Sequence, residues 1–139
     1  MADNWAQQWK NAKKSFEDKT NRSKPGIPFL LFFKKGTGIG KALEDCEKAH
    51  QNLHSLRLIV AGNPHTPVTS IETDAVQGFT KAVLAFKPKA SAYVTGVNKS
   101  LANDTLKDKI KGPTTDLLNA LQGIGKSLDD EIKFWVTRH

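Results

Sequence analysis

Residue types that bind metals or attack substrates recur along one stretch of the chain. Cys46, His50 and His54 are four residues apart, so on a helix they form a ladder along one face. Thiolate and imidazole are ligands that Zn²⁺ prefers, and a thiol beside a histidine base is one way to build a nucleophile. Because Gln51 follows His50, no H-E-x-x-H motif is present. Cys46 also falls on an apolar stripe, so the alternative interpretation is a buried structural thiol without metal.

The phrase Gly-Ile-Gly-Lys begins at Gly38, after an apolar run and before a helical pattern. A phosphate-binding P-loop has that order, but it needs a glycine five residues before its second glycine, and Lys35 stands there. Ala42 also replaces the hydroxyl residue that would bind magnesium. We interpret the phrase as a loop and helix start, and the alternative is an anion held by the backbone amides.

A second copy of the phrase begins at Gly123, 85 positions after the first. We expect this copy inside a helix, where each glycine costs about 1 kcal/mol relative to alanine. The repeat is either an internal duplication or a coincidence. The phrase also resembles the opening of cationic amphibian membrane-active peptides, which implies membrane binding. Acidic residues such as Glu44 and Asp129 follow each copy, whereas an interfacial helix prefers a basic polar face.

Basic and aromatic residues are concentrated in the first quarter of the chain. The 139 residues carry a net charge of +7, and residues 1–35 hold eight basic and three acidic residues and six of the eleven aromatic ones. Such a segment attracts phosphates or an acidic partner. We predict that this quarter binds a partner through Trp5, Trp9, Lys10, Lys13, Lys14, Phe16, Phe32, Phe33, Lys34 and Lys35. The alternative is that both tryptophans pack onto the bundle as its first helix.

Cysteine content and hydropathy indicate an intracellular protein. Cys46 is the sole cysteine, so no intrachain disulfide forms, and a reducing compartment is expected. The first residues have no apolar signal region, and the longest apolar run, residues 27–33, is too short to span a bilayer. We expect a cytoplasmic protein or a part of an intracellularly assembled particle.

Helical periodicity dominates the rest of the sequence. Residues 4–18 form a short amphipathic helix with Trp5, Trp9 and Phe16 on one face. A longer helix covers 37–61, and a capping box at Thr69 opens another. Two further signals predict interruptions of helices. Pro88 should kink or break the helix that begins after Thr69, and Gly112-Pro113 should end the helical pattern before a last helix that begins at Thr114 or Thr115.

These elements predict one all-α domain over residues 1–139, an antiparallel bundle of four to five helices. Residues 1–35 are its basic aromatic segment and 36–139 its body. Residues 27–33 fit a strand, a short helix or a packed loop. No catalytic motif emerges, so we expect a non-enzymatic interaction or assembly subunit, of a virion, secretion-machine or immunity type, that binds another protein or its own copies without cofactor or metal. The alternatives are nonspecific binding of nucleic acid or anionic membrane, and a metal protein or enzyme centred on Cys46, His50 and His54.

Overall fold

Five α-helices make up the chain in a computed structural model that describes residues 4–34, 37–63 and 65–138. No strand occurs in these ranges, and the predicted all-α bundle with a short amphipathic N-terminal helix is confirmed. Residues 27–33, for which a strand was one alternative, are helical. The helices are α1 (Trp5–Thr20), α2 (Ile27–Lys34), α3 (Thr37–Gly62), α4 (Ser70–Ala102) and α5 (Lys107–Arg138).

The four longer helices form a ring in which each packs against the helices before and after it. α3 contacts α4, α4 contacts α5, and α1 lies between α3 and α5. Polar contacts fix the position of α1: the Ala6 amide donates to the Glu47 carboxylate of α3 over 2.8 Å, and the Trp5 indole donates to the Ser127 hydroxyl of α5 over 3.1 Å. Short connections between the helices enforce this antiparallel arrangement.

The two ends of the bundle are built differently because α1 is only half as long as its neighbours. α4 and α5 have 33 and 32 residues, which corresponds to about 50 Å of helix, and α1 has 16. At the three-helix end, which we define as residues 54–80 and 129–138, only α3, α4 and α5 are present among the described residues. At the α2 end, residues 17–34 and 99–116, α2 packs against α4.

The apolar stripes of the sequence become the core. Cys46 and Leu53 of α3 are fully buried, as are Phe79 and Val83 of α4. The predicted capping box at the start of α4 is present in its first half, because the Thr69 hydroxyl accepts the Glu72 amide over 3.1 Å. The remaining large buried side chains come from every helix and include Trp5, Trp9, Phe16, Phe29, Phe86, Leu117, Ile124 and Trp135.

The two proline signals do not end helices. α4 runs through Pro88 as one helix, so of the predicted kink or break the break does not occur. α5 begins before Gly112-Pro113, so the predicted stop is wrong. Each proline removes one intrahelical hydrogen bond. The exposed Pro88 lies among core residues of α4, and Pro113 is followed by the buried Thr114. Burial of the long helices therefore outweighs the lost bonds.

The two Gly-Ile-Gly-Lys copies occupy different places in the fold. The first lies in the opening turns of α3, as expected, and the second lies in the middle of α5. A Cβ added at Gly125 would be 3.9 Å from the nearest Phe86 carbon, and one at Gly123 would meet nothing within 4 Å. The copies therefore do not share an architectural role, and the second lies inside a helix as predicted.

Candidate functional site

The most exposed apolar side chains of the α2 end belong to α2 itself. Ile27 is 74% exposed and Leu31 57% exposed, and Leu30 is also exposed. Isolated apolar residues on a surface are ordinary, but several on one eight-residue helix form a patch. The side chains of Phe32, Phe33 and Lys34 lie outside the described part of the structure, as does Lys35.

α2 is held on the bundle through its inner face. Phe29 is buried there, with its ring centroid 5.5 Å from that of Phe16 in α1. The buried Asp104 carboxylate accepts the Gly26 amide just before α2 and the Leu106 amide over 2.7 Å. A Cβ at Gly26 would come within 2.7 Å of that carboxylate, so a larger residue here would displace the Asp104 side chain. Among the described side chains, the Phe29 ring and the Asp104 carboxylate thus hold the inner face, while Ile27, Leu30 and Leu31 face solvent.

Three of the aromatic residues predicted to bind a partner, all of them in α1, lie in the core. Trp5, Trp9 and Phe16 are at most 2% exposed, and the Trp9 ring meets Tyr93 edge-on at 5.5 Å. Side chains this deeply buried offer no surface to a partner. The alternative interpretation, in which the tryptophans pack as the first helix of the bundle, describes their position, so the candidate surface leaves these three residues out.

The predicted basic residues of α1 lie on its outer side. Lys10 and Lys14 are exposed, and Lys13 is half-buried with its Nζ 5.8 Å from the centre of the Trp9 ring. Lysines so placed cover apolar surface with their stems and keep their charge in water. Lys10 and Lys14 are therefore available to an acidic partner, whereas Lys13 already shields a core tryptophan.

The Cys46, His50 and His54 ladder does not assemble into a metal or nucleophile site. Among the described residues, no group of three or more His, Cys, Asp or Glu side chains could hold a metal ion. Cys46 is fully buried, and burial, aided by the charges of Asp45 and Glu47, raises the pKa of its thiol to about 12. A thiol that stays protonated at neutral pH is not a nucleophile.

His50 belongs instead to a buried polar cluster centred on Glu131 of α5. One carboxylate oxygen, Oε1, lies 3.0 Å from His50 Nε2 and accepts from Arg57 Nε and the Trp135 indole, each over 3.2 Å. The His50 ring packs edge-on against Trp5, and its Nδ1 is buried without a hydrogen-bond partner. The cluster joins α3 to α5 where α1 begins, and sequence spacing alone did not reveal Glu131.

The environment of Glu131 favours its charged form. Burial by itself raises the pKa of this carboxyl. The hydrogen bond and charge of His50, the charge of Arg57 and the Trp135 hydrogen bond outweigh that effect and lower the pKa below its ordinary value. The cluster therefore holds a carboxylate in the interior and stabilises the packing of α3 on α5.

A second buried ion pair closes the three-helix end. Arg138 at the end of α5 donates from Nε and Nη2 to the two Glu72 oxygens over 2.9 and 3.0 Å, and from Nη2 to the Thr66 carbonyl. Both charged side chains are less than a tenth exposed. Sequence analysis interpreted Glu72 only as part of a capping box, because its partner lies 66 residues away.

Beyond the first residue of α1, the groove between α3 and α5 is open. Its volume is about 870 Å³, and it is lined by Val60 and Ala61 from α3 and by Phe134 and Thr137 from α5. The Arg57 guanidinium lies 3.4 Å from the centre of the Phe134 ring, a cation–π contact. We call this feature the α3/α5 groove.

A second groove, between α4 and α5, has a volume of about 980 Å³ and contains Gly123 and Gly125 in its wall. An ion pair of 2.7 Å between Lys87 and Asp129 crosses from one helix to the other. Because Lys87 and Asp129 on the rim already pair with each other, this groove is a weaker candidate for binding a partner than the exposed apolar residues of α2.

Comparison with known proteins finds no matching family model, no similar curated protein and no similar solved structure. Within the described ranges, no helix combines the length and the apolar character needed to cross a membrane. The fold and the surface thus define a small helical bundle with one outward-facing apolar helix.

Proposed function

We propose that this chain is a non-enzymatic interaction or assembly subunit that binds a partner protein through α2. The observation that carries the proposal is the exposure of Ile27, Leu30 and Leu31 on a helix whose Phe29 is buried against the bundle. An eight-residue helix this apolar is expensive to leave in water. Complete burial of an aliphatic side chain contributes about 1.5–3 kcal/mol.

The charges around α2 favour a partner with acidic groups. Arg22 and Lys24 are exposed in the turn just before α2. Basic rims around an apolar centre are typical of interfaces, where the charges steer the encounter and the apolar centre supplies affinity. The pattern supports an acidic protein surface with a hydrophobic recess.

The state of the buried reactive groups supports a non-enzymatic role. The Cys46 thiol is protonated and inaccessible, and the His50 Nε2 atom is engaged with Glu131 in the interior. A catalytic site requires such groups to reach a substrate. Both groups serve packing in this fold.

Anionic membrane binding is the second candidate, and one observation favours it. The exposed aliphatic residues Ile27 and Leu31 follow the exposed Arg22 and Lys24 in the sequence. An interfacial helix combines the same two features, with apolar residues in the acyl region and basic residues at the headgroups. Glu17 and Asp18 nearby add exposed acidic groups, which a protein surface of mixed charge can pair with and a uniformly anionic membrane cannot. The protein partner therefore remains our first proposal.

Ile27→Asp is the sharpest test variant, and the chain offers a matched control. Ile27 is the first residue of α2, where an acidic side chain favours the helix dipole, so the change removes apolar surface without opposing the helix. Ile71 is the second residue of α4 and is 73% exposed, nearly the same as Ile27. Ile71→Asp therefore makes an equivalent change at the opposite end of the molecule.

The experiment is retention of partners from native lysate by the full chain at low and moderate salt, with mass spectrometry of the retained proteins. We expect a stoichiometric partner that wild type and Ile71→Asp retain at both salt concentrations and Ile27→Asp loses. Equal retention by Ile27→Asp would overturn the proposal. Co-sedimentation with phosphatidylserine vesicles tests the second candidate: binding by wild type that falls steeply with salt and is lost in Ile27→Asp would favour the membrane.

A further inference from the structure

The groove that α1 fills continues past α1. α1 lies between α3 and α5 and begins at Trp5, beside Ser127 of α5. α5 continues from there to Arg138, and α3 continues to Gly62. Among the residues that the structure describes, no helix follows α1 into this part of the groove. At the three-helix end, the described residues therefore form three helices where the rest of the bundle has four.

The part of the α3/α5 groove that lies beyond α1 has an apolar floor and a partly charged rim. Val60 is buried and Phe134 half-buried in the floor, while Asp130 and Lys133 lie on the rim. The Arg57 guanidinium lies 3.4 Å from the centre of the Phe134 ring and covers one face of it. The shape of the groove is that of a trough for a short helix, bounded by α3 and α5.

We propose that the α3/α5 groove receives α2 of a second copy of this chain. The inference rests on the proposed function, because it names the partner of the same apolar helix. α2 has eight residues, or about 12 Å of helix, and residues 130–138 of α5 along the groove span about the same length. The exposed residues Ile27, Leu30 and Leu31 form an apolar face that would cover the apolar floor of Val60 and Phe134.

The charges of the two ends are complementary. Outside the ion pairs of Glu72 with Arg138 and of Glu131 with Arg57, the three-helix end exposes three acidic residues, Asp74, Asp129 and Asp130, and one basic residue, Lys133, a net charge of −2. The α2 end has a net charge of +3, from five acidic residues and the basic residues Lys19, Arg22, Lys24, Lys34, Lys99, Lys107, Lys109 and Lys111. Opposite charge at the two surfaces favours contact between one end and the other and disfavours contact between two like ends.

The geometry excludes an intramolecular contact. α4 spans the molecule from Glu72, beside Arg138, to a C-terminal end beside Asp104, which binds the residue before α2. α2 and the groove are thus separated by about 50 Å of helix. The contact joins different surfaces of two copies, so it is heterologous, and repetition gives a ring or a filament.

Two single substitutions make the contact testable. Leu31→Asp places a charge on α2 and leaves the groove intact, and Ala61→Asp places a charge in the groove and leaves α2 intact. Both positions are exposed, so both variants should melt like wild type by circular dichroism. Leu84→Asp is the matched control, because Leu84 is 58% exposed against 57% for Leu31 and lies on neither surface.

The measurement is sedimentation velocity of the full chain over a range of concentrations. We expect wild type and Leu84→Asp to form concentration-dependent species larger than a dimer. Each interface variant alone should be monomeric, with its dissociation constant for self-association raised by at least about tenfold, or 1.4 kcal/mol. An equimolar mixture of Leu31→Asp and Ala61→Asp should form a dimer and nothing larger, because one intact contact remains between the two variants.

A mixture that stays monomeric, or an Ala61→Asp variant that assembles like wild type, overturns the inference. So does a wild type that is monomeric at every concentration. In the last case, retention of a different protein that still depends on Ile27 would leave the proposed function standing, whereas loss of that dependence would remove both.

Discussion

α1 and α2 come from the same basic, aromatic quarter of the sequence, but they end in opposite environments. α1 buries Trp5, Trp9 and Phe16 to 2% exposure or less and turns its lysines outward. α2 buries Phe29 and turns Ile27 and Leu31 outward. The difference shows that local composition does not decide which residues bind: aromatic residues at helical spacing were core, and the shorter apolar run became surface.

The physical reason lies in the amphipathic pattern. α1 alternates apolar and polar residues with the helical period, so one of its faces buries completely. α2 is apolar around nearly its whole circumference, and a helix packed on one side must then leave apolar residues in water. A further layer from another molecule would cover the exposed residues Ile27, Leu30 and Leu31.

The largest effect should come from removing a buried ring of α1. Trp9→Ala empties a core position, and loss of a buried tryptophan typically costs about 3–5 kcal/mol of unfolding free energy. Urea denaturation followed by circular dichroism measures it. Lys10→Ala, at the exposed neighbouring position, is the control and should change stability by less than about 0.5 kcal/mol. A loss below 1 kcal/mol for Trp9→Ala would mean that α1 is not part of the core.

Glu131→Gln should have the next largest effect, because it neutralises the carboxylate that His50, Arg57 and Trp135 share. We expect a loss of about 1–3 kcal/mol at pH 7 in urea denaturation, since the amide keeps one acceptor oxygen. Asp116→Asn is the control: that carboxylate also forms an ion pair from α5, with Lys19, but is 66% exposed. Its loss should stay below about 1 kcal/mol.

The same variant makes a prediction about pH. The pKa of Glu131 is lower in the folded chain than its ordinary value of 4.5, so the unfolded chain takes up the proton first. The stability that Glu131 contributes is therefore complete above pH 4.5 and is lost as the pH falls through the folded pKa. The gap between wild type and Glu131→Gln should narrow as urea titrations move below pH 4.5. A gap that widens there would contradict the sign of the shift.

A smaller effect, of opposite sign, is expected at the second Gly-Ile-Gly-Lys copy. Gly125→Ala adds a Cβ 3.9 Å from Phe86, an ordinary contact, and removes a flexible residue from the middle of α5. We expect a gain of about 0.5–1 kcal/mol in unfolding free energy. Gly123→Ala, where the added Cβ has open space, should give a similar gain. Destabilisation at Gly125 alone would show that α4 and α5 require closer approach there.

Sequence reasoning predicted what depends on local periodicity. The stripes of α3 and α5, the capping residue Thr69 and the position of the second glycine phrase follow from spacing along one helix. The helix break at Pro88 and the helix end at Pro113 do not occur, although local sequence favours them. Each proline removes one hydrogen bond, and burial of the whole helix outweighs that loss.

The candidate site was only partly predictable. The segment containing α2 was named as a binding region, but which of its residues face outward depends on contacts with Phe16 and Asp104, far away in the sequence. Glu131 was missed for the same reason, because its partners His50 and Arg57 lie on another helix. Among the described residues, the stretch of α3 and α5 that α1 does not cover follows from unequal helix lengths in three dimensions.

The central claim is that α2 faces outward and that the fold does not need its exposed residues, and the smallest predicted effect tests it most directly. The double variant Ile27→Asp/Leu31→Asp should keep the unfolding free energy of wild type to within about 1 kcal/mol in urea, because both side chains are mostly exposed. Measured beside Trp9→Ala, it separates surface helix from core helix in one experiment. A loss of several kcal/mol in the double variant would contradict the account, since it would place these residues in the core.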